Sequence, residues 1–149
     1  MATETSTSSS QVSAPTAHRW LALAAVALGV SLIIMDATVV NVALPVIIRD
    51  VGLTSTQAEW MNAVYSLMFA ALLLSAGRAG DIWGRRRLLT VGMVIFIVAS
   101  FAAGSVSDGT ALVGARLVQG IGAALILPAT LSTVNAVFKG RERAIAFAV

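Results

Sequence analysis

Four long apolar runs, separated by short polar segments, dominate this sequence. They lie at about residues 20–44, 59–76, 88–106 and 111–137. Each run has roughly the 20 residues that a helix needs to cross about 30 Å of hydrocarbon. Inside hydrocarbon, only helices and closed barrels satisfy every backbone polar group. The runs therefore predict an all-α, polytopic membrane protein.

The composition agrees with a membrane protein and argues against a soluble domain. Of the 149 residues, 58% are hydrophobic and 11% are charged, whereas a soluble domain has about 45–50% apolar and about 25% charged residues. A net charge of +3 would suggest nucleic acid as a partner of a soluble protein. Here the basic residues cluster between the apolar runs, so membrane topology explains them better. The lipid bilayer is the predicted partner, and nucleic acid is not.

The two ends of the chain differ from the spans. Residues 1–18 contain nine Ser or Thr and no large apolar cluster, which is typical of a disordered tail. The apolar run that follows is too long for the core of a signal peptide, so we expect an uncleaved first span. The last apolar stretch, residues 144–149, would form about 9 Å of helix. It predicts that the chain stops at the start of a fifth span.

The positions of the basic residues predict the orientation. If the tail is cytoplasmic, eight basic residues lie on the inner side: Arg19, Arg78, Arg85, Arg86, Arg87, Lys139, Arg141 and Arg143. Only Arg49 lies on the outer side, and Arg116 falls within the fourth span. Since cytoplasmic loops carry an excess of Lys and Arg, we expect a cytoplasmic N-terminus. Nine Arg to one Lys hints at a GC-rich bacterial genome, so we expect a bacterial cell membrane.

Several classes of chemistry lack the residues they need. The chain has no cysteine and a single histidine, His18, which argues against disulfides and metal sites. Ser and Thr in the tail have no accompanying base, so an enzyme is not expected. No nucleotide-binding GxxxxGK[ST] loop occurs. No cofactor is predicted, and an ion gradient is the expected energy source.

The first span contains polar residues where lipid favours none. In MDATVVNVALP, residues 35–45, Pro45 has no N–H to donate to the carbonyl of Asn41, so the helix can bend or end there. Asp36 and Asn41 are separated by about 140° around a helix. We therefore do not expect these two side chains to form one site.

The fourth span contains a buried-looking arginine on a stripe of small and polar residues. Arg116, Gln119 and Gly120, with Ala123 and Ala124, lie on one helical face. A buried arginine costs roughly 2.5–3.5 kcal/mol in a membrane, so Arg116 should face a partner or else extend towards the interface. Gly120 and Gly122 are expected chiefly to allow close helix packing.

Asp36 and Arg116 lie at similar depths in the predicted membrane. Asp36 lies eight residues before Leu44 and Arg116 eight residues after Asp108, which places each roughly 12 Å from the outer end of its helix. We hypothesise that they face each other or a shared cavity, and that protonation of Asp36 is coupled to movement. The alternative is that Asp36 only neutralises Arg116 structurally.

The segment GRAGDIWGRRRL, residues 77–88, resembles the loop G-x-x-x-D-x-x-G-R-R that joins the second and third helices of the major facilitator superfamily. The matching residues are Gly77, Asp81, Gly84, Arg85 and Arg86, while Gly80 and Ile82 depart from the usual pattern. The resemblance implies a conformational latch in which the aspartate pairs with the other half of the transporter. Alternatively, the arginines only fix topology.

Two further segments resemble the same superfamily. Arg116, Gln119, Gly120 and Gly122 match its fourth-helix motif R-x-x-Q-G-x-G. Residues 35–45 are similar to the first-helix motif L-D-x-T-V-V-N-V-A-L-P of the fourteen-helix drug:proton antiporter branch. The resemblance implies that residues 19–149 are a partial N-terminal six-helix bundle, with four helices and the start of a fifth. It also implies a role for Arg116 in proton coupling, and the candidate residues for coupling and transport are Asp36, Arg116, Asn41 and Gln119.

The resemblance implies a proton-coupled exporter of drugs or other amphipathic small molecules that works by alternating access. Its partners would be a small-molecule substrate and a missing C-terminal part of the transporter. Two alternatives stay open. One is a major facilitator transporter of another solute, and the other is a small four-helix membrane protein that acts by oligomerisation.

Overall fold

The computed structural model describes residues 16–137, which form four long helices: α1 (Thr16–Val51), α2 (Ser55–Trp83), α3 (Arg85–Ser105) and α4 (Gly109–Val137). All four are long and apolar enough to cross a membrane. The predicted all-α fold with four spans is therefore confirmed. α1 begins at Thr16, so residues 16–18, which we assigned to the tail, are helical. The rest of the predicted tail and the predicted fifth span lie outside the described residues.

The first helix is longer than the sequence predicted. Pro45 lies inside α1 and does not end it, because its fixed φ of about −65° is compatible with a helix. The helix ends at Val51, and Gly52 follows with a φ of +68°. The N–H of Leu53 then donates to the Ile48 carbonyl at 3.0 Å, a common way to close a helix C-terminus.

The capping box of α2 is formed by Thr54 and Gln57. Thr56 and Glu59 have the same spacing, but the Thr54 hydroxyl accepts from the Gln57 N–H at 3.2 Å. In return, the Thr54 N–H donates to the Gln57 side chain at 3.1 Å. Both pairs fit the capping-box spacing, and the helix takes the earlier one. It therefore begins at Ser55.

The predicted loop at residues 77–88 is mostly helical. α2 continues through Gly77 and Asp81 to Trp83, and α3 begins at Arg85. Gly84 alone separates the two helices, with a φ of +94°. Only glycine adopts this conformation without strain, so one residue produces the whole turn. The polar residues before it stay helical because a helix can extend beyond the hydrocarbon.

α4 is the central helix of the described bundle. It packs mainly against α2 and α3, and α1 lies against it. A Cβ atom at Gly120 would lie 2.6 Å from the Tyr65 carbonyl oxygen of α2, and one at Gly122 would lie 2.8 Å from the Phe96 nitrogen of α3. The two glycines thus allow α4 to approach both neighbours at backbone distance, as predicted for helix packing in lipid.

Two apolar clusters stabilise the bundle at different levels. The first is formed by all four helices around Phe96 and Ile126. The second surrounds Leu53, Met61 and Leu112, near the ends of the helices where α1 meets α2 and α3 meets α4. The polar residues of the fourth-helix stripe come between these clusters along α4. A polar layer is therefore enclosed by apolar packing on both sides.

Candidate functional site

A hydrogen-bonded network joins α1, α3 and α4 in this polar layer. Arg116 Nη1 donates to Asp36 Oδ2 at 2.6 Å and to Gln119 Oε1 at 2.9 Å. Gln119 Nε2 donates to Asp36 Oδ1 at 3.0 Å and to Ser100 Oγ at 2.7 Å. Both oxygens of the Asp36 carboxylate thus accept hydrogen bonds from α4. We call these four residues the polar network.

The helical stripe on α4 produces this arrangement. Arg116 and Gln119 are three residues apart and therefore project from one face, where both are buried. The side chain of Arg116 is 3% exposed and that of Asp36 is 13% exposed. The structure thus brings Asp36 and Arg116 together, and Arg116 does not extend to the interface.

The electrostatics of the network depend on the Asp36 charge. A buried ion pair costs several kcal/mol per ion to desolvate, and removing one partner typically costs about 3–5 kcal/mol because the other charge is left unpaired. Charge-assisted hydrogen bonds are roughly twice as strong as neutral ones. Neutralising Asp36 would therefore weaken its bond to Arg116 and loosen α1 from α4.

Two residues of the site were not predicted from the sequence. Ser100 accepts from Gln119 and brings α3 into the network. Tyr65 of α2 lies beneath Arg116, whose guanidinium carbon is 4.4 Å from the centre of the tyrosine ring. Neither residue belongs to a recognised motif. The only available signal was that Tyr65 is the single tyrosine of the chain, placed within a span.

Asn41 and Pro45 lie apart from the polar network. Both are exposed in the described bundle, and the angle between Asp36 and Asn41 on a helix explains why they do not meet. Pro45 lies one turn after Asn41 and leaves its carbonyl without the usual helical donor. The structure therefore gives α1 two distinct polar faces, one towards α4 and one that the other described helices do not cover.

The residues of the predicted latch lie at the junction of α2 and α3. Arg85 Nη2 is 3.4 Å from Asp81 Oδ1, and the Asp81 side chain is exposed whereas that of Arg85 is partly buried. Arg85 Nη1 also donates to the Ser132 carbonyl of α4 at 3.1 Å. Exposed ion pairs contribute only about 0–1 kcal/mol. Asp81 is thus weakly held and accessible.

A family model described as the Major Facilitator Superfamily matches residues 26–149 of the chain. The chain belongs to the major facilitator superfamily. All three segments that resembled its motifs lie in the matched region, which also contains the whole polar network. Members of this superfamily are membrane transporters, so the chain is part of a transporter fold with several membrane spans.

Bacterial relatives of this major facilitator chain carry names of resistance and efflux proteins. The chain is 40% identical over 136 residues to the puromycin resistance protein pur8 of Streptomyces alboniger, a match that covers 91% of the chain and 27% of that protein. It is 44% identical over 119 residues to the multidrug efflux pump LfrA of Mycolicibacterium smegmatis, covering 80% of the chain and 24% of the pump. A lincomycin resistance protein of Streptomyces lincolnensis is 40% identical over 130 residues, covering 84% of the chain and 27% of that protein.

The chain spans about a quarter of the length of these curated relatives. These relatives are bacterial proteins, and their names describe resistance to antibiotics or multidrug efflux. The comparison concerns only one part of the relatives, so the activity of a whole transporter is treated below as a proposal.

Proposed function

We propose that this chain is the N-terminal part of a proton-coupled exporter of drugs or other amphipathic small molecules. In this proposal Asp36 carries the proton, and Arg116 and Gln119 respond to its charge. The observation that carries the proposal is the hydrogen bonding of both Asp36 carboxylate oxygens to α4. A proton on Asp36 removes the charge that offsets Arg116, so protonation and the contact between α1 and α4 are linked.

The partial exposure of Asp36 supports a role beyond structure. A carboxylate that only neutralised Arg116 would be best placed if it were fully enclosed, but 13% of the Asp36 side chain is exposed. In this proposal the exposed part of the carboxylate is the place where the proton binds. Arg116, at 3% exposure, cannot replace its lost partner with water, which makes the network sensitive to the protonation state.

An apolar cavity between α1 and α4 supports the proposal that the substrate is amphipathic. Its volume is about 290 Å³, and its walls include Val26, Val30, Leu127 and Leu131, with Thr130 as a polar group. Small-molecule sites are usually concave and apolar with a few polar groups. The same two helices carry Asp36 and Arg116, so movement between them would change the cavity and the ion pair together.

The latch assignment is also part of the proposal. Asp81 is exposed and held only by a weak pair with Arg85, which leaves it available to a partner helix. We propose that Gly77, Asp81, Gly84, Arg85 and Arg86 act on the cytoplasmic side, which is also the side on which we expect the N-terminus from the distribution of basic residues. The bundle of residues 19–149 would then move against a C-terminal part by alternating access.

Proton-driven export tests the proposed role of Asp36. The experiment uses the complete coding sequence that contains residues 1–149, called below the full-length protein. Membrane vesicles that carry it are energised with a pH gradient, and uptake of a fluorescent amphipathic cation is followed. Asp36→Asn should abolish gradient-driven transport while leaving the amount of protein unchanged, because asparagine keeps the shape and removes the titrating group.

Asp50→Asn is the matched control for this experiment. Asp50 is an exposed acid on the same helix, outside the polar network, and its substitution should leave transport unchanged. Full gradient-driven transport by Asp36→Asn would contradict the proposal. Equal loss in both variants would show that the effect does not come from the network.

A further inference from the structure

Arg116 also lies against Tyr65, a residue that takes no part in the ion pair with Asp36. Its guanidinium carbon lies 4.4 Å from the centre of the Tyr65 ring, within the range of a cation–π interaction. The ring is parallel to that of Phe69, with centres 6.4 Å apart. The backbone of Tyr65 also touches α4 at Gly120. The position of this tyrosine beside Arg116 is therefore fixed by packing on two sides.

Two buried polar atoms at this contact have no hydrogen-bond partner among the described residues: the Tyr65 hydroxyl and Arg116 Nε. Buried polar atoms are usually paired in native structures, so exceptions need an explanation. A guanidinium can only donate hydrogen bonds, while a phenol can accept them. The two residues thus have complementary unused capacity within one contact.

We propose that Tyr65 is a positioning residue that holds Arg116 in place when a proton neutralises Asp36. The ring face retains the guanidinium by the cation–π interaction, and the hydroxyl accepts a hydrogen bond from it after a small sideways shift. The proposal rests on the proposed protonation of Asp36. In this proposal Arg116 of α4 has two partners, Asp36 on α1 and Tyr65 on α2, and it keeps the second when Asp36 is neutral.

The surroundings of Arg116 leave Tyr65 as the group able to do this. α1 presents Asp36, whose charge is lost on protonation, and the Ser100 hydroxyl of α3 already accepts from Gln119. On α4, Gln119 Oε1 accepts a single bond from Arg116. Without Tyr65, the guanidinium would be a buried cation whose hydrogen-bond acceptors are all neutral, a costly state in a membrane.

The proposal predicts which helix contact changes when Asp36 binds a proton. Proton binding would loosen α1 from α4, while the contact between α2 and α4 is kept. This agrees with the packing, since α4 meets α2 at backbone distance through Gly120 and has fewer contacts with α1. Tyr65 would thereby keep Arg116, and with it α4, in place against α2 while α1 moves.

A double-mutant cycle on the purified full-length protein tests this role. Tyr65→Leu removes ring and hydroxyl, and Tyr65→Phe removes the hydroxyl only. We expect Tyr65→Leu to lower the melting temperature by roughly 2 °C more in an Asp36→Asn background than in the wild type. Tyr65→Phe should give an intermediate extra loss. In an Asp50→Asn background, both substitutions should act as they do in the wild type.

The pH dependence of transport gives a second readout. Because Tyr65 favours the state with neutral Asp36, Tyr65→Leu should move the transport midpoint to lower pH, and Tyr65→Phe should move it less. If Asp36→Asn does not yield folded protein, melting temperatures of wild type and Tyr65→Leu are compared at low and high pH. The difference should widen at low pH.

The outcomes separate the two proposals. Additive losses in the cycle, or a melting difference that does not change with pH, would overturn the role of Tyr65. If Asp36→Asn is inactive in transport at the same time, the proposed function still stands. If Asp36→Asn transports normally, the proposed function fails whatever the cycle shows.

Discussion

At the scale of single residues, Gln119 connects the parts of the polar network. Its oxygen accepts from Arg116, and its nitrogen donates to Asp36 and Ser100. An amide is the side chain that can do both at once without carrying charge. Gln119 therefore fixes the orientation of the ion pair and ties it to α3.

Replacing Gln119 with an apolar residue should destabilise the protein, although the substitution leaves the net charge unchanged. In Gln119→Leu, the Ser100 hydroxyl and one Asp36 oxygen lose a donor, which costs about 1–3 kcal/mol for each buried group left unpaired. Thermal unfolding of the purified full-length protein should show a lowered melting temperature. Asn41→Leu, which replaces an exposed amide outside the network, serves as the control. Equal melting temperatures for Gln119→Leu and wild type would contradict the described network.

The pairing of Asp36 with Arg116 could be predicted from the sequence, whereas Ser100 and Tyr65 could not. Counting from Leu44 and Asp108 placed Asp36 and Arg116 at similar depths, and the structure pairs them although α1 continues to Val51. The partners Ser100 and Tyr65 depend on how each helix is rotated about its axis. Near-uniform apolar spans such as α3 carry little information on rotation, so these two residues could not be assigned.

At the scale of helices, the approach of α4 to its neighbours depends on two glycines. Alanine at Gly120 or Gly122 would place a methyl group within 3 Å of backbone atoms of α2 or α3. Backbone cannot move aside as a flexible side chain can. The small residues of α4 thus determine the spacing of the bundle that holds the polar network.

Substitution of these glycines gives a sharp comparison within one helix. Gly120→Ala and Gly122→Ala should each destabilise the protein by about 1–3 kcal/mol through overpacking. Gly114→Ala, on the same helix with no atom within 4 Å of its added Cβ, should be neutral or stabilising by up to about 1 kcal/mol. Melting temperatures of the three variants test this, and equal effects would contradict the packing.

The junction of α2 and α3 shows where local sequence was misleading. Three glycines in residues 77–84 suggested an extended loop, yet only Gly84 has a positive φ. Gly77 and Gly80 lie within α2 near side chains of α4 and α3. Composition alone does not tell a glycine used for close approach from one used for a turn.

Alanine at Gly84 should therefore strain the junction. The left-handed conformation costs a residue with a Cβ roughly 1–2 kcal/mol, so Gly84→Ala should lower the melting temperature. Gly104→Ala is the control, because this helical glycine of α3 has no neighbour within 4 Å of an added Cβ. A Gly84→Ala variant as stable as Gly104→Ala would show that the turn does not need the positive φ.

At the scale of the whole molecule, the described bundle exposes much apolar surface. Large side chains such as Leu74, Val42 and Phe101 are more than 70% exposed. Exposed apolar patches of this kind mark membrane or protein contacts. The apolar surface fits a bundle that is surrounded by lipid and by further helices, in agreement with the family to which the chain belongs.

The absence of cysteine from the chain makes the proposed topology easy to test. Ile82→Cys, near the junction of α2 and α3, should react with a membrane-impermeant maleimide only in inside-out vesicles. Ser107→Cys, between α3 and α4, should react from outside in intact cells. Any other cysteines of the full-length protein are first replaced with serine. The reverse labelling pattern would place the N-terminus outside the cytoplasm.

Proton release on substrate binding tests whether Asp36 carries the coupled proton. The purified full-length protein is mixed with substrate in weakly buffered detergent solution, and a pH-sensitive dye reports released protons. Wild type should release about one proton for each bound substrate. Asp36→Asn should bind substrate and release none, whereas equal release by Asp36→Asn would show that another group carries the proton.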